Sequence, residues 1–288
     1  MTEARTLRTP AKLNWTLEVL GKRGDGFHVL RSWFVAVALE DALVAIPVTG
    51  ASSLEVTGPF AEGISVDESN LVRKAETLFR AAGGEAPFLQ WRLEKNIPHA
   101  AGLGGGSGNA AGALLWLNHY ATRQPDRPLE ELALALGSDV PYFLMEHGAC
   151  LLGGQGETLL ATAEAPEGWA VLAIPDLAVP TAAVFQALDA PAYAGDPQPQ
   201  VEQQAELPSH PGPNALLDAA RRAAPALARF EEALQEVAAF HLSGSGGTFF
   251  HVAKSREAGL EIAAHVAETC HHVEVVPFKT GPVLARDL

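Results

Sequence analysis

The sequence predicts an α+β fold in two parts. Three observations carry that expectation. Period-two apolar runs that read as strands are mixed with alanine- and leucine-rich runs that read as helices. At 288 residues and 48% hydrophobic content, the chain is long enough for one large or two ordinary domains with real cores. A second set of elements begins near residue 160, which divides the chain into 1–160 and 161–288. No internal repeat is evident.

Taken in order, Lys12 to Val19 alternates, with Leu13, Trp15, Leu17 and Val19 on one face and Lys12, Asn14, Thr16 and Glu18 on the other. A strand here sets Lys12 and Asn14 side by side. The polar stretch GKRGDGFH reads as a loop, followed by strands at Trp33 to Leu39 and Ala42 to Val48. Asn70 to Ala82 reads as a helix closed by Gly83. Phe88 to Lys95 alternates again, with Leu89, Trp91 and Leu93 on the buried face.

Beyond it, Asn109 to Tyr120 has the composition of a helix, and so has Pro128 to Leu136, with proline in its first turn and Gly137 past its end. Strands are expected at Ala149 to Leu152, Thr158 to Ala161 and Trp169 to Ile174. Thr181 is expected to cap a helix to Leu188. Ala190 to Pro213 is dense in Pro, Gln and Ala and reads as a long, partly mobile surface connection. Helices near Ala215 to Ala223 and Ala226 to Ala238, a strand at Thr248 to Ala253, a helix at Arg256 to Thr269 and a strand at His272 to Pro277 complete the chain.

The segment PHAAGLGGGSGNAA, Pro98 to Ala111, holds five glycines within seven residues between a strand and a helix. Glycines there let the backbone approach an anion, and the N–H groups and positive dipole of the following helix start suit phosphate. The alternative is a tight turn or linker. Counting excludes better-known glycine motifs. No lysine follows the run as in G-x-x-x-x-G-K-[ST], G-x-G-x-x-G fails at Ser107, and a nucleophile elbow fails at Asn109.

Net charge is −14, which disfavours a nucleic-acid partner. The imbalance is uneven: residues 1 to 100 carry 11 basic and 12 acidic side chains, and the remainder 9 and 22. The nearly neutral first third therefore offers Lys12, Lys22, Arg23, His28 and Lys95 to an anionic ligand. No signal-like or membrane-spanning run is seen, so a cytoplasmic protein without a membrane partner is expected. Two cysteines give no disulfide framework, and Cys270-His271-His272 is assigned no metal.

With PAKLNWTLEVLGKRGDGFH at Pro10 to His28 and LSGSGGTFF at Leu242 to Phe250, the glycine segment resembles the three motifs of the galactokinase, homoserine kinase, mevalonate kinase and phosphomevalonate kinase (GHMP) superfamily. The P-A-K-L-N start followed by D-G-F-H is most similar to its 4-diphosphocytidyl-2-C-methyl-D-erythritol kinase family. Leu136 to Pro141, Pro180-Thr181 and Phe185 also match, so the likeness covers nearly the whole chain. It implies a two-domain GHMP kinase: a ribosomal-protein-S5-domain-2-like ATP-binding domain and a ferredoxin-like C-terminal domain, with the site in the cleft between them. The implied activity is transfer of the ATP γ-phosphoryl to the 2-hydroxyl of that cytidine-diphospho sugar alcohol, in the non-mevalonate isoprenoid route, with ATP and Mg²⁺ required.

The resemblance also implies roles. Asp139 corresponds to the general base and Lys12 to its cationic partner, which offsets charge developing at the acceptor hydroxyl. The competing structural reading has Asp139 capping Val140 to Leu144 and Lys12 solvated. Gly102, Leu103, Gly104, Gly105, Gly106, Ser107 and Gly108 would wrap the β- and γ-phosphates, with Pro98 and Asn109 also in the ATP site, and Ser107 is either a phosphate or Mg²⁺ contact or a helix cap. Lys95 and Asn70 match positions near adenine, or are surface residues. His28 would read the cytosine edge between Phe27 and Phe185, while Asn14, Thr181, Gly244 and Gly246 would lie near the acceptor. Phe27 stands where the family usually has tyrosine, and Gly108 where it usually has serine. The alternatives are another superfamily kinase, of mevalonate or homoserine type, and a catalytically silent nucleotide-binding sensor. A monomer or a homodimer acting on a small molecule is expected.

Overall fold

The computed structural model describes residues 5–195 and 205–284. The first part comprises β1 (Thr6–Asn14), β2 (Glu18–Lys22), β3 (His28–Val48), β4 (Ser53–Thr57), α1 (Leu71–Ala81), β5 (Phe88–Glu94), α2 (Gly105–Tyr120), α3 (Leu129–Leu136), a 3₁₀ turn (Pro141–Leu144), β6 (Ala149–Gly154) and β7 (Thr158–Ala163). The second comprises β8 (Trp169–Ile174), α4 (Thr181–Ala187), α5 (Leu217–Ala223), α6 (Ala226–Gln235), β9 (His241–Leu242), β10 (Phe249–Ala253), α7 (Arg256–Val266) and β11 (His272–Pro277).

The 21-residue β3 organises the first sheet. It pairs antiparallel with β1 and β2, and with β5 and β6, in a seven-stranded sheet whose long path runs β4-β5-β3-β6-β7. The sequence suggests two strands here because Glu40 and Asp41 interrupt the apolar run. The chain instead passes through them with a register shift opposite Pro10 and Ala11, and Asp41 is fully buried. The second sheet is antiparallel, in the order β11-β8-β10-β9.

Three apolar layers result. One lies between the first sheet and α1, α2 and α3, around Phe79, Trp91, Trp116 and Tyr142. A middle layer joins the two sheets, with Trp15, Trp33 and Val35 meeting Leu172, Phe250, Val276 and Phe278. The third lies under the helices of the second sheet, around Val171, Leu227 and Phe249. After β11 the chain returns to the first part, where Lys279 N–H donates to Ala36 O (2.9 Å) and Val283 is buried in the first layer.

Several boundaries differ from the sequence reading. The strand from Lys12 breaks after Asn14, because Trp15 turns inward and donates its indole N–H to Pro208 O (2.8 Å); β2 starts at Glu18. Thr181 is the first residue of α4 rather than its cap, which is Pro180. Of the expected connection Ala190 to Pro213, residues 196–204 lie outside the described ones. Its two ends are fastened to the first part: Lys22 N–H donates to Pro191 O (2.8 Å), Tyr193 N–H to Lys22 O (2.8 Å) and Leu17 N–H to Pro213 O (3.1 Å). The first sheet runs on to Ala163, a few residues past 160.

Candidate active site

The three glycine-bearing motifs converge on one lysine. Lys12 lies on β1 with its ammonium drawn inward and only 4% of its surface exposed. Lys12 Nζ donates to Asn14 Oδ1 (2.7 Å), faces Asp139 Oδ2 at 3.3 Å and sits 4.8 Å from the Phe34 ring centroid. The period-two spacing of β1 explains the Lys12–Asn14 contact. Asn14 Nδ2 in turn donates to Ser32 Oγ (2.8 Å). Asp139 lies in the turn between α3 and the 3₁₀ segment, its side chain one-third exposed, and that segment has no side-chain cap. The capping reading of Asp139 and the solvated reading of Lys12 therefore both fall.

Beside Lys12, a cavity of about 410 Å³ is lined by Asn70, Lys95, Pro98, Gly102 to Ser107 and Asn109. The helix expected from Asn109 begins at Gly105, with Gly104 as its cap at φ 72°. Gly108 N–H donates to Gly104 O (2.9 Å), so the N–H groups of Gly105, Gly106 and Ser107 precede the helix's own bonding. They present partial positive charge to the cavity. Ser107, at the third helical position, is not the cap.

Tight packing explains why glycine is tolerated in this helix. A Cβ at Gly105 would lie 3.0 Å from Ile97, one at Gly112 would lie 2.9 Å from Thr9, and one at Gly104 would lie 2.9 Å from Lys12 Cγ. Gly108 faces Phe143 and Pro10 O, each 3.3 Å from a Cβ built there, so it packs against the sheet and does not line the cavity.

Two other side chains expected at the nucleotide are committed to the protein. Lys95 is 3% exposed, which excludes a surface role. Its Nζ pairs with Asp41 and donates to Asn109 Oδ1 (3.2 Å), while Asn109 Nδ2 donates to Thr9 Oγ1 (2.8 Å) and Asp41 Oδ2 (2.9 Å). Asp41 Oδ1 accepts from the N–H groups of Asn96 (2.7 Å) and Ile97 (2.8 Å). The cluster ties β1, β3, β5 and α2 together directly behind the helix start. Asn70 caps α1, accepting from Val72 N–H (2.9 Å).

The third motif packs backbone to backbone on the glycine segment. A Cβ at Gly246 would fall 2.5 Å from Gly102 N, and one at Gly244 (φ 60°) 3.0 Å from Asn14 Oδ1. Ser243 is fully buried and its Oγ accepts from Asn14 N–H (3.2 Å). Asn214 Nδ2 donates to Leu242 O (2.9 Å) and Gly244 O (2.7 Å), pinning the turn from outside. Thr181 Oγ1 lies 2.9 Å from Ser245 Oγ.

A second cavity, of about 530 Å³, is lined by residues including Phe27, His28, Ser138, Gln155, Thr181 and Phe185. The His28 and Phe185 rings lie 5.2 Å apart, tilted by 32°, and Phe27 is 55% exposed. His28 Nε2 is buried without a hydrogen-bond partner among the described residues. Burial first, and Lys22 second, hold the His28 pKa below the ordinary value. A buried ring nitrogen left free at a cavity wall calls for a ligand that supplies its partner.

Sequence reasoning missed Ser32, Asp41, Ser243, Ser245 and Asn214. Ser32, Ser243 and Ser245 sit within or beside recognised motifs and Asp41 lies within β3, but their contacts join distant segments. Asn214 follows the proline-rich stretch, where no periodicity marks it.

The fold and the glycine-lined helix start place the molecule among the GHMP kinases, and the family model for the GHMP kinases N terminal domain matches residues 70–153. A 4-diphosphocytidyl-2-C-methyl-D-erythritol kinase of Symbiobacterium thermophilum is 37% identical over 274 residues, spanning 86% of this chain and 90% of that relative. The enzyme of that name from Mycobacterium tuberculosis H37Rv is 36% identical, spanning 96% and 91%. A crystal structure of 4-(cytidine 5'-diphospho)-2C-methyl-D-erythritol kinase superposes with a TM-score of 0.76 at 31% identity, covering 96% of this chain and all of that one. The chain belongs to the 4-diphosphocytidyl-2-C-methyl-D-erythritol kinase family.

Proposed function

We propose that the chain transfers the γ-phosphoryl of ATP to the 2-hydroxyl of 4-diphosphocytidyl-2-C-methyl-D-erythritol, releasing ADP and the 2-phosphate. The observation that carries this is the position of the Lys12–Asp139 pair, 3.3 Å apart. Lys12 abuts Gly104 of one cavity, and Asp139 follows Ser138 of the other.

ATP occupies the glycine-lined cavity, with its phosphates on the N–H groups that open α2 and on the dipole behind them. The acceptor's cytosine enters the second cavity, where the free His28 Nε2 meets its polar edge and Phe27 and Phe185 flank its faces. The two ends are thereby fixed before chemistry, and the 2-hydroxyl reaches Asp139. A tertiary alcohol is a weak nucleophile, so the Asp139 carboxylate takes its proton as the phosphoryl group arrives. Lys12, held by Asn14 and largely shielded from water, stabilises the negative charge spread over the transferring oxygens.

The donor set fits Mg²⁺ carried in on the nucleotide. No cluster of three or more His, Cys, Asp or Glu side chains able to hold a metal occurs among the described residues. The ion would rest chiefly on phosphate oxygens, as Mg²⁺ commonly does, with Ser107 Oγ as the protein ligand at the cavity wall. When bound, it neutralises phosphate charge.

The test is turnover with ATP, Mg²⁺ and the cytidine acceptor, with mevalonate and homoserine in parallel, followed by ADP release and ³¹P spectra. A new monophosphate resonance with the cytidine acceptor alone is expected. Asp139→Asn should lower kcat at least ~10²-fold while ATP still binds. Turnover of another acceptor instead would discard the base pocket, and an Asp139→Asn variant with full activity would remove the general base.

A further inference from the structure

The base cavity contains a cation that the reaction as described does not use. Of the described residues lining it, Lys22 alone carries a positive charge. In a chain of net charge −14, most cations near this hairpin are engaged: Arg23 pairs with Asp25 (2.6 Å) and Arg31 with Glu18 (3.1 Å). Lys22 makes no ion pair among the described residues.

Its position is fixed from two sides. On one, β2 pairs with β3 so that Lys22 stands directly opposite His28. Directly opposite residues of an antiparallel pair project from the same face, their Cβ atoms about 4.5–5.5 Å apart. The cation therefore stands beside the imidazole, and it contributes to the depression of the His28 pKa. On the other side, Pro191 O accepts the Lys22 N–H and Tyr193 N–H donates to the Lys22 carbonyl. The preceding Gly21 is held so close to this strap that a Cβ there would lie 2.8 Å from Tyr193 Cα. A lysine anchored on both edges, exposed at its tip and unpaired at a cavity wall is placed to meet an anion.

We infer that Lys22 is a specificity-determining residue of the acceptor cavity: its ammonium pairs with the diphosphate that links base to sugar alcohol, so the site prefers a nucleoside diphosphate over the bare nucleoside. The inference rests on the cytidine-acceptor reading above. Because the ammonium is exposed, its pull weakens with salt.

The test compares wild type with Lys22→Met and Lys22→Arg, measuring kcat and KM for the acceptor and for ATP, and calorimetric binding of CDP and of cytidine. Lys22→Met is expected to raise the acceptor KM about tenfold with kcat within about twofold, leaving the ATP KM unchanged. CDP should bind about tenfold more weakly to Lys22→Met, and cytidine equally to both proteins; Lys22→Arg should restore most of the loss. The wild-type acceptor KM should also rise between 50 and 500 mM salt, on the order of severalfold, and that of Lys22→Met should not. An unchanged acceptor KM, or equal weakening of cytidine and CDP, would overturn the role of Lys22 while leaving the kinase reading intact. A wild type inactive on the cytidine acceptor would instead overturn the kinase reading, and this inference with it.

Discussion

At the scale of single residues, the proposed site separates a charged pair, assigned to chemistry, from a neutral ring, assigned to recognition. Lys12 and Asp139 face one another at 3.3 Å, while His28 is held neutral by burial and by the nearby Lys22. Because the folded pKa of His28 lies below the unfolded value near 6.5, its neutral form is fully present above that value. As pH falls below 6.5 the unfolded chain takes up the proton first, so this residue's share of stability starts to fall there. The loss is complete only below the folded pKa. The acceptor KM should accordingly stay flat from pH 7 to 8.5 and rise below the folded pKa, and His28→Gln should remove that rise. A KM with no inflection on the acid side in the wild type would show that the ring's charge state does not matter to binding. At this scale the sequence was most legible where contacts are local. Alternation along β1 already sets Lys12 beside Asn14, and a 2.7 Å hydrogen bond joins them. Asp139 lies over a hundred residues from Lys12, and only motif resemblance, not periodicity, paired the two.

At the scale of elements, the glycines divide by what each is needed for. Intrinsic propensity argues against a helix through Gly105, Gly106 and Gly108, which is why composition alone starts α2 at Asn109. Tertiary packing overrides it, since larger residues at Gly105 or Gly112 would hold the helix off Ile97 and Thr9. Gly106 differs, because a Cβ there meets only Leu71 Cδ1, at 3.5 Å, and the position is exposed at the cavity. Gly106→Ala should therefore stabilise α2 by up to ~1 kcal/mol while raising the ATP KM. Gly246→Ala should do the reverse to stability: its Cβ would sit 2.5 Å from Gly102 N, at a cost of about 1–3 kcal/mol. Thermal unfolding and ATP titration of the two variants check both. Opposite signs in stability are expected, and a Gly246→Ala protein as stable as wild type would mean that the two turns are not locked together. Such close approaches between residues 102 and 246 leave no trace in local pattern, although the glycines themselves do.

At the scale of the whole molecule, two sheets share one apolar layer, and the proposed active site sits where the first part's glycine segment meets the second part's turn. Phe278 belongs to that middle layer, with its ring 5.6 Å from Trp15 in an edge-on contact. Its neighbour Lys279 ties the returning chain to the first sheet through Ala36 O (2.9 Å) and Glu40 Oε1 (2.7 Å). Trp15 in turn belongs to the segment that carries Lys12 and Asn14. Two folding units with a thin contact would unfold separately, whereas parts that bury large aromatic side chains against each other should melt as one. The chain should accordingly unfold in urea in a single transition, with tryptophan fluorescence and far-UV circular dichroism coincident. Phe278→Ala should lower stability by about 3–5 kcal/mol, moving both probes together, because the cavity it opens lies in the layer common to both sheets. It should also reduce kcat, since loosening that layer lets the Gly244 turn drift from Lys12, whose Nζ is only 3.4 Å from a Cβ built on Gly244. If the two probes separate in this variant, the sheets are independent units and the site is assembled by domain docking; if they stay coincident while both stability and kcat fall, the shared layer holds the catalytic pair in register.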